Sequence, residues 1–198
     1  AKDDNRPVLQ CVNFVAKDGK LTLVSADGFR LAVTSLDYDD GAGQALINRD
    51  DLKGIANALR RAKRARVSFE GEDVTKPSSL IIDTELIRYK WASISGNYPE
   101  WQKLIPTEFK SFAHFDTVEA IKGIASLKAV SDSKSYPIDL TIGDSTIAMT
   151  TPDNDGETWL KADTDGEVIK VRIDGGYLAD VLKACGGMVE FSLANAYS

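Results

Sequence analysis

Ser25-Ala26-Asp27-Gly28-Phe29-Arg30-Leu31-Ala32 joins an alternating run, Lys20-Leu21-Thr22-Leu23-Val24, to a second apolar run, Leu31-Ala32-Val33. An Asp-Gly pair between two strand-like runs predicts a tight turn, because glycine takes positive φ without penalty and aspartate accepts hydrogen bonds from its own backbone. A hairpin with one exposed arginine needs nothing more. Phe29-Arg30-Leu31, an aromatic, a cation and an aliphatic directly after the turn, is more than a turn requires.

Working outward, residues 9–15 and 20–24 read as strands paired around a second Asp-Gly turn, Asp18-Gly19, and residues 30–36 continue the sheet. Residues 37–43 are an acidic, glycine-containing loop and residues 45–48 a short strand. Residues 50–63 form the clearest helix, capped by Asn48 or Asp50, with Leu52, Ile55, Ala56 and Leu59 as its core stripe. Lys53, Arg60 and Arg64 flank that stripe, and Arg49, Arg61, Lys63 and Arg66 add charge nearby. Such a cluster fits a solvated helix face or a surface that meets phosphates. Residues 66–70, 80–83 and 87–94 read as strands, with a turn at residues 75–79. Tyr98-Pro99-Glu100-Trp101-Gln102-Lys103-Leu104-Ile105-Pro106 is aromatic and bracketed by prolines, so it is ordered but irregular. The domain boundary is expected just after it, giving domains 1–106 and 107–198.

The second half begins again with a strand at 112–115 and a helix at 117–130, whose apolar side is Val118, Ile121, Ile124 and Ala125. Strands follow at 139–142, 146–150, 158–162 and 168–173, then a helix capped by Asp174 and carrying Leu178, Val181, Leu182 and Cys185, then a strand at 189–193. Gly186-Gly187 ends that helix. Strand, capped helix, strand therefore occurs twice, at 45–69 and 168–193. Leu52-Ile55-Ala56-Leu59 matches Leu178-Val181-Leu182-Cys185, and Val67-Ser68-Phe69 matches Val189-Glu190-Phe191. Two copies of one α+β domain, the first without its opening and the second without its end, account for the repeat, and both ends of the chain look cut.

The bulk properties exclude several classes. The 198 residues, 43% apolar, suffice for one large or two ordinary domains. No apolar run approaches the roughly 18 residues of a membrane-spanning helix. The polar start lacks a secretory signal pattern, so the expected location is cytoplasmic. Cys11 and Cys185 fit neither a disulfide framework nor a metal knuckle and read as buried small apolar residues. His114 is the only histidine, against multi-histidine metal sites and most histidine-dependent catalysis. Asp153-Asn154-Asp155-Gly156 has the flavour of a calcium loop but lacks the later glutamate and the ligand spacing. There is no phosphate-cradling glycine loop, nucleophile elbow, HExxH or CxxC. The net charge of −6 counts against nucleic acid on average, while the cations of the 50–63 helix show that charge is sorted by surface.

Four motifs in order carry a family resemblance: Arg6-Pro7-Val8-Leu9, Ala26-Asp27-Gly28-Phe29-Arg30-Leu31-Ala32, the Tyr98 to Pro106 stretch, and Tyr177-Leu178-Ala179-Asp180-Val181-Leu182-Lys183-Ala184. Through them the chain resembles the bacterial sliding clamp family, the beta subunit of DNA polymerase III, along essentially all of its length. The resemblance implies an α+β fold of tandem DNA-clamp domains, with helices on one face of antiparallel sheets. The two domains would be most of the middle one (1–106, opening helix missing) and most of the last (107–198, final strands missing). It implies a non-enzymatic processivity factor of DNA replication that encircles duplex DNA as a head-to-tail homodimer ring. This piece by itself is not expected to close a ring. Partners implied are double-stranded DNA, bound without sequence preference, and polymerase and clamp-loader subunits bearing short linear motifs. No cofactor, metal or membrane is implied.

Carried over position by position, the family's peptide-binding cleft between the two domains is implied at Leu9, Ala26, Gly28, Phe29, Arg30, Leu31, Pro99, Lys103 and Leu104, with Tyr197 at its far wall. An apolar groove with a few polar fixers suits a peptide's aliphatic anchors. Lys103 stands where the family often has arginine, which loses a planar fork. The channel-facing cations are implied at Arg49, Lys53, Arg60, Arg61 and Arg64, with Lys122 and Lys128 of the second domain. Two other readings fit the residues: an α+β enzyme whose carboxylates assemble in space, and an adhesin-like repeat module with no use for the cationic helix.

Overall fold

Both Asp-Gly turns form, and they set the register of the first sheet. The computed structural model describes residues 6–71 and 79–195. Strands β1 (Cys11–Lys17) and β2 (Lys20–Ala26) pair with Lys17 opposite Lys20, leaving Asp18 and Gly19 as the two loop residues, at φ 51° and 75°. Positive φ at both positions gives a hairpin turn whose twist matches that of the strands. Strand β3 (Leu31–Asp37) returns beside β2 after the second turn, with Ala26 opposite Leu31. Strand β4 (Gly43–Asn48) pairs with the other edge of β1, so the antiparallel order is β3-β2-β1-β4.

Helix α1 (Arg49–Arg61) follows β4 directly. Asn48 caps it, its side chain accepting a hydrogen bond from the Asp50 amide at 2.9 Å. Strands β5 (Ala65–Glu70), β6 (Ser79–Thr84) and β7 (Arg88–Ala92) form a second antiparallel sheet in that order. Ile55 of α1 is buried among Phe14, Leu21, Ile47, Leu80 and Ile82, with Leu52 and Leu59 packed against them. The turn expected at residues 75–79 lies largely outside the described residues.

A second unit starts with β8 (Ser111–Asp116) and α2 (Thr117–Val130), capped by the Asp116 carboxylate on the Val118 amide. Strands β9 (Pro137–Gly143), β10 (Thr146–Thr150) and β11 (Glu157–Lys161) form a meander, and β13 (Ile169–Asp174) pairs with the free side of β9. Helix α3 (Gly175–Cys185) follows β13, and β14 (Met188–Leu193) pairs with β8. A short strand, β12 (Asp163–Gly166), pairs with the other side of β8. The order β11-β10-β9-β13 reproduces β3-β2-β1-β4, so the repeat read in the sequence extends to the whole first sheet.

The chain divides into units Ala1–Gln102 and Lys103–Ser198, each with its own core. The division falls inside the short 3-10 helix Trp101–Leu104, rather than after Pro106.

Several sequence expectations need correction. Residues 7–10 are a 3-10 turn, so β1 starts at Cys11 and not at Leu9; Pro7 sets the helical φ at its start. The strand expected at 158–162 is β11, ending one residue earlier at Lys161; the short β12 that follows it was not expected, and between the two the Ala162 amide donates to the Ser145 carbonyl. On α2, Val118 is exposed and so is Ala125; the buried side is Thr117, Ala120, Gly123, Ile124 and Leu127. On α3, Val181 and Cys185 are exposed while Leu178, Ala179 and Leu182 are buried. The cause is common to both. The two helices pack on each other, and each rotates its buried stripe toward that neighbour. Cys11 is buried as expected; Cys185 is not.

Candidate docking turn and cationic helix

The turn between β2 and β3 is built around one carboxylate. Asp27 Oδ1 accepts the amides of Phe29 and Arg30, at 3.1 and 2.9 Å, and the Asp27 amide donates to the Arg30 carbonyl. Asp27 Oδ2 takes the Arg30 guanidinium through Nε at 3.0 Å and a terminal nitrogen at 2.6 Å. Burial alone would raise the Asp27 carboxyl, but these bonds from Arg30 and from the Phe29 amide outweigh it and hold it below the usual carboxylate range. Arg30 is therefore presented in one fixed pose at the rim. Gly28, at φ 89°, turns the chain where a Cβ would come within 3.4 Å of the Arg6 guanidinium. Phe29 projects into solvent with 82% of its surface exposed.

Two other segments of the first unit meet this turn. A Cβ on Gly96 would come within 2.6 Å of Val8, so the 95–99 stretch lies against the 3-10 turn of Pro7–Gln10. The Tyr98 phenol is raised by burial, beside the backbone of Ala26 and near Cys11. Cys11 Sγ in turn donates to the Pro7 carbonyl at 3.5 Å. The structure thus brings together Arg6, Ala26 to Leu31 and Tyr98, three of the four motifs quoted above. Leu9 is buried, its amide donating to the Arg6 carbonyl at 3.0 Å, Leu31 is half-buried at the start of β3, and Pro99 is exposed. Lys103 and Leu104 are exposed and belong to the second unit. Tyr197 lies outside the described residues. Sequence reading cast Asp27 only as a turn former; its three-residue spacing from Arg30 was the available signal for the ion pair.

Arg49, Lys53 and Arg60 fall within about 40° of one another around α1, and Arg61 lies roughly 100° further round. Arg49 and Lys53 both approach Asp50, at 3.4 and 3.6 Å. Arg64 lies beyond the helix end, exposed. Lys122 and Lys128 are about 120° apart on α2 and share no strip; Lys128 sits 5.1 Å from the Tyr136 ring centroid.

Among the described residues every shifted carboxylate is shifted down, and none by a second acid. Lys20 lowers Asp37, Lys90 lowers Glu70, the Lys63 amide lowers Glu85 and Arg172 lowers Asp139. A carboxylate dyad would push one of its members up. Among the described residues no group of three His, Cys, Asp or Glu side chains could hold a metal, and no helix is long and apolar enough to cross a membrane.

Helices backing antiparallel sheets, repeated in tandem with the same strand order, define a protein of the DNA-clamp fold. The DNA polymerase III subunit beta from Pseudomonas aeruginosa superposes with a TM-score of 0.86 over 100% of this chain and 55% of that one, at 20% identity. A sliding clamp from the same organism, solved bound to griselimycin, gives 0.85 over 99% of this chain and 54% of that one, also at 20% identity. In sequence the chain is related to the bacterial beta sliding clamps. It is 27% identical to that of Synechocystis over 202 residues, 92% of this chain and 51% of the relative. The chain thus spans about half the length of the curated relatives it matches. No protein-family model matches it. The resemblance carried by the four motifs is borne out, as is the fold class.

Proposed function

We propose that the chain is a non-catalytic part of a DNA sliding clamp, which holds duplex DNA and docks replication proteins. The observation that carries this reading is the tandem clamp repeat, related in sequence to beta sliding clamps along 92% of the chain. Arg49, Lys53, Arg60, Arg61 and Arg64, with Lys122 and Lys128, are the proposed phosphate contacts. All but the half-buried Arg49 are exposed, and cations on flexible stems suit loose binding that releases counterions and permits sliding. The proposed peptide site is the Asp27–Leu31 turn with Leu9, Ala26 and Pro99, joined by Lys103, Leu104 and Tyr197. There Phe29 and Leu31 offer apolar contact, and Arg30, held by Asp27, offers donors to a carboxylate or carboxamide. A closed ring of two full-length subunits, polymerase and clamp-loader partners and a cytoplasmic setting belong to the same proposal.

Fluorescence anisotropy with a labelled clamp-binding peptide, and griselimycin as competitor, tests it. Binding that the Arg30→Ala, Leu31→Ala variant loses by tenfold or more, about 1.4 kcal/mol, is the expected result. Competable binding that the variant retains refutes the docking turn.

A further inference from the structure

The second unit carries an open groove of about 770 Å³ at the seam between its two sheets, a feature the proposed function leaves unused. Phe115 and Ala162 floor it, and Trp159 of β11 and Met188 of β14 stand over it with 63% and 69% of their surfaces exposed. Such large apolar side chains left in water beside a concavity mark a contact surface. The rim is acidic: Asp116, Glu119, Asp144 and Asp163 line it, against Lys161 as its one cation. Among the described residues Glu119, Asp144 and Asp163 make no ion pair. His114, the remaining ionisable group of the lining, lies with Nε2 3.0 Å from Glu190 Oε2, a further carboxylate at the margin.

The groove is also preformed. Asp144 and Ser145, at φ 52° and 60°, make the tight turn between β9 and β10 that forms one wall. That wall is tied to the opposite strands by two bonds: the Ser145 amide donates to Thr164 Oγ1 at 3.0 Å, and the Ala162 amide donates to the Ser145 carbonyl at 3.1 Å. A ligand therefore meets a shape that needs little ordering.

We propose that this groove docks a short cationic segment of a partner protein, one that alternates lysine or arginine with aliphatic residues. Charge complementarity selects that occupant. Unpaired carboxylates repel phosphates and acidic peptides, and attract ammonium and guanidinium groups. The Trp159 indole gives a cation a face to sit on, and Met188 gives an aliphatic side chain or a lysine stem something to pack against.

The test is a titration of the 15N-labelled chain with an acetylated, amidated pentapeptide alternating lysine and leucine, followed by amide and indole resonances. A glutamate-leucine peptide of the same design is the control. Saturable shifts confined to residues 114–119, 144–146, 159–163 and 188 are expected, including the Trp159 indole. Trp159→Ala should weaken binding about tenfold, and Asp144→Asn with Asp163→Asn should weaken it several-fold and flatten its salt dependence. These side chains are exposed, so an unchanged melting midpoint will show that the variants fold. No shifts at millimolar peptide, shifts centred elsewhere, equal binding of the glutamate peptide or indifference to Trp159→Ala each overturns the proposal. So does concentration-dependent broadening at the groove without peptide, which would make a second copy of the chain the occupant.

Discussion

Asp139 and Asp27 show how much one carboxylate does here. Asp139, buried on β9, takes Arg172 through Nε at 2.5 Å and through a terminal nitrogen at 2.9 Å, with Lys170 at 3.7 Å. The Arg172 bonds hold its carboxyl below the usual range against the opposing effect of burial. A carboxyl depressed in the folded state stabilises above its unfolded pKa, about 3.9, and that contribution is lost as pH falls through the lower folded value. Melting midpoints should therefore fall on acidification below about pH 4, and Asp139→Asn should soften that acid limb while costing about 1–3 kcal/mol at neutral pH. An acid limb identical in the variant would show that Asp139 is not a source of it. Asp27 was legible in the sequence as a turn former because Asp-Gly chemistry is local. Its hold on Arg30 needed the folded geometry, as did the Asp139–Arg172 bond, which joins residues 33 positions apart across a strand pair.

Helices and strands were read well where their cause is local. Both Asp-Gly turns, the Asn48 and Asp174 caps and the extent of α2 follow from short-range chemistry. The faces of α2 and α3 were misread because each helix has a helical neighbour that no single stretch announces. Strand β12, Asp-Thr-Asp-Gly, lacks β-branched runs and forms only because β8 offers it an edge. Two glycines separate these local and tertiary causes. Gly54 in α1 is exposed with nothing within 4 Å of an added Cβ, so Gly54→Ala should raise stability by about 0.5–1 kcal/mol. Gly175, at the start of α3, would place a Cβ 2.4 Å from the Tyr136 ring and 2.6 Å from its carbonyl oxygen. Backbone cannot step aside as a side-chain tip can, so Gly175→Ala should cost about 1–3 kcal/mol. Chemical denaturation of both variants measures the difference, and a shift of the same sign in both would refute the argument from space.

Across the two units, the repeat was legible as strand, helix, strand, and the structure widened it to a full sheet. The docking turn was legible in part. Its residues lie in three segments, at 6–9, 26–31 and 96–99, that only the fold assembles. The two cysteines, one in each unit, now acquire a use. Cys185 is exposed at the end of α3, while Cys11 is buried on β1 with its thiol pushed up, first by burial and then by the Asp51 charge. A maleimide should modify Cys185 within the mixing time of a bench experiment and then wait for Cys11. The delay is a clock: the second adduct forms only from the opened first unit, so at low maleimide, where reclosing outpaces modification, its rate relative to an exposed thiol, read by mass spectrometry, reports the opening free energy of that unit alone. Peptide or DNA that binds the first unit should slow the clock, whereas a ligand held only by the second unit should leave it running at the same pace.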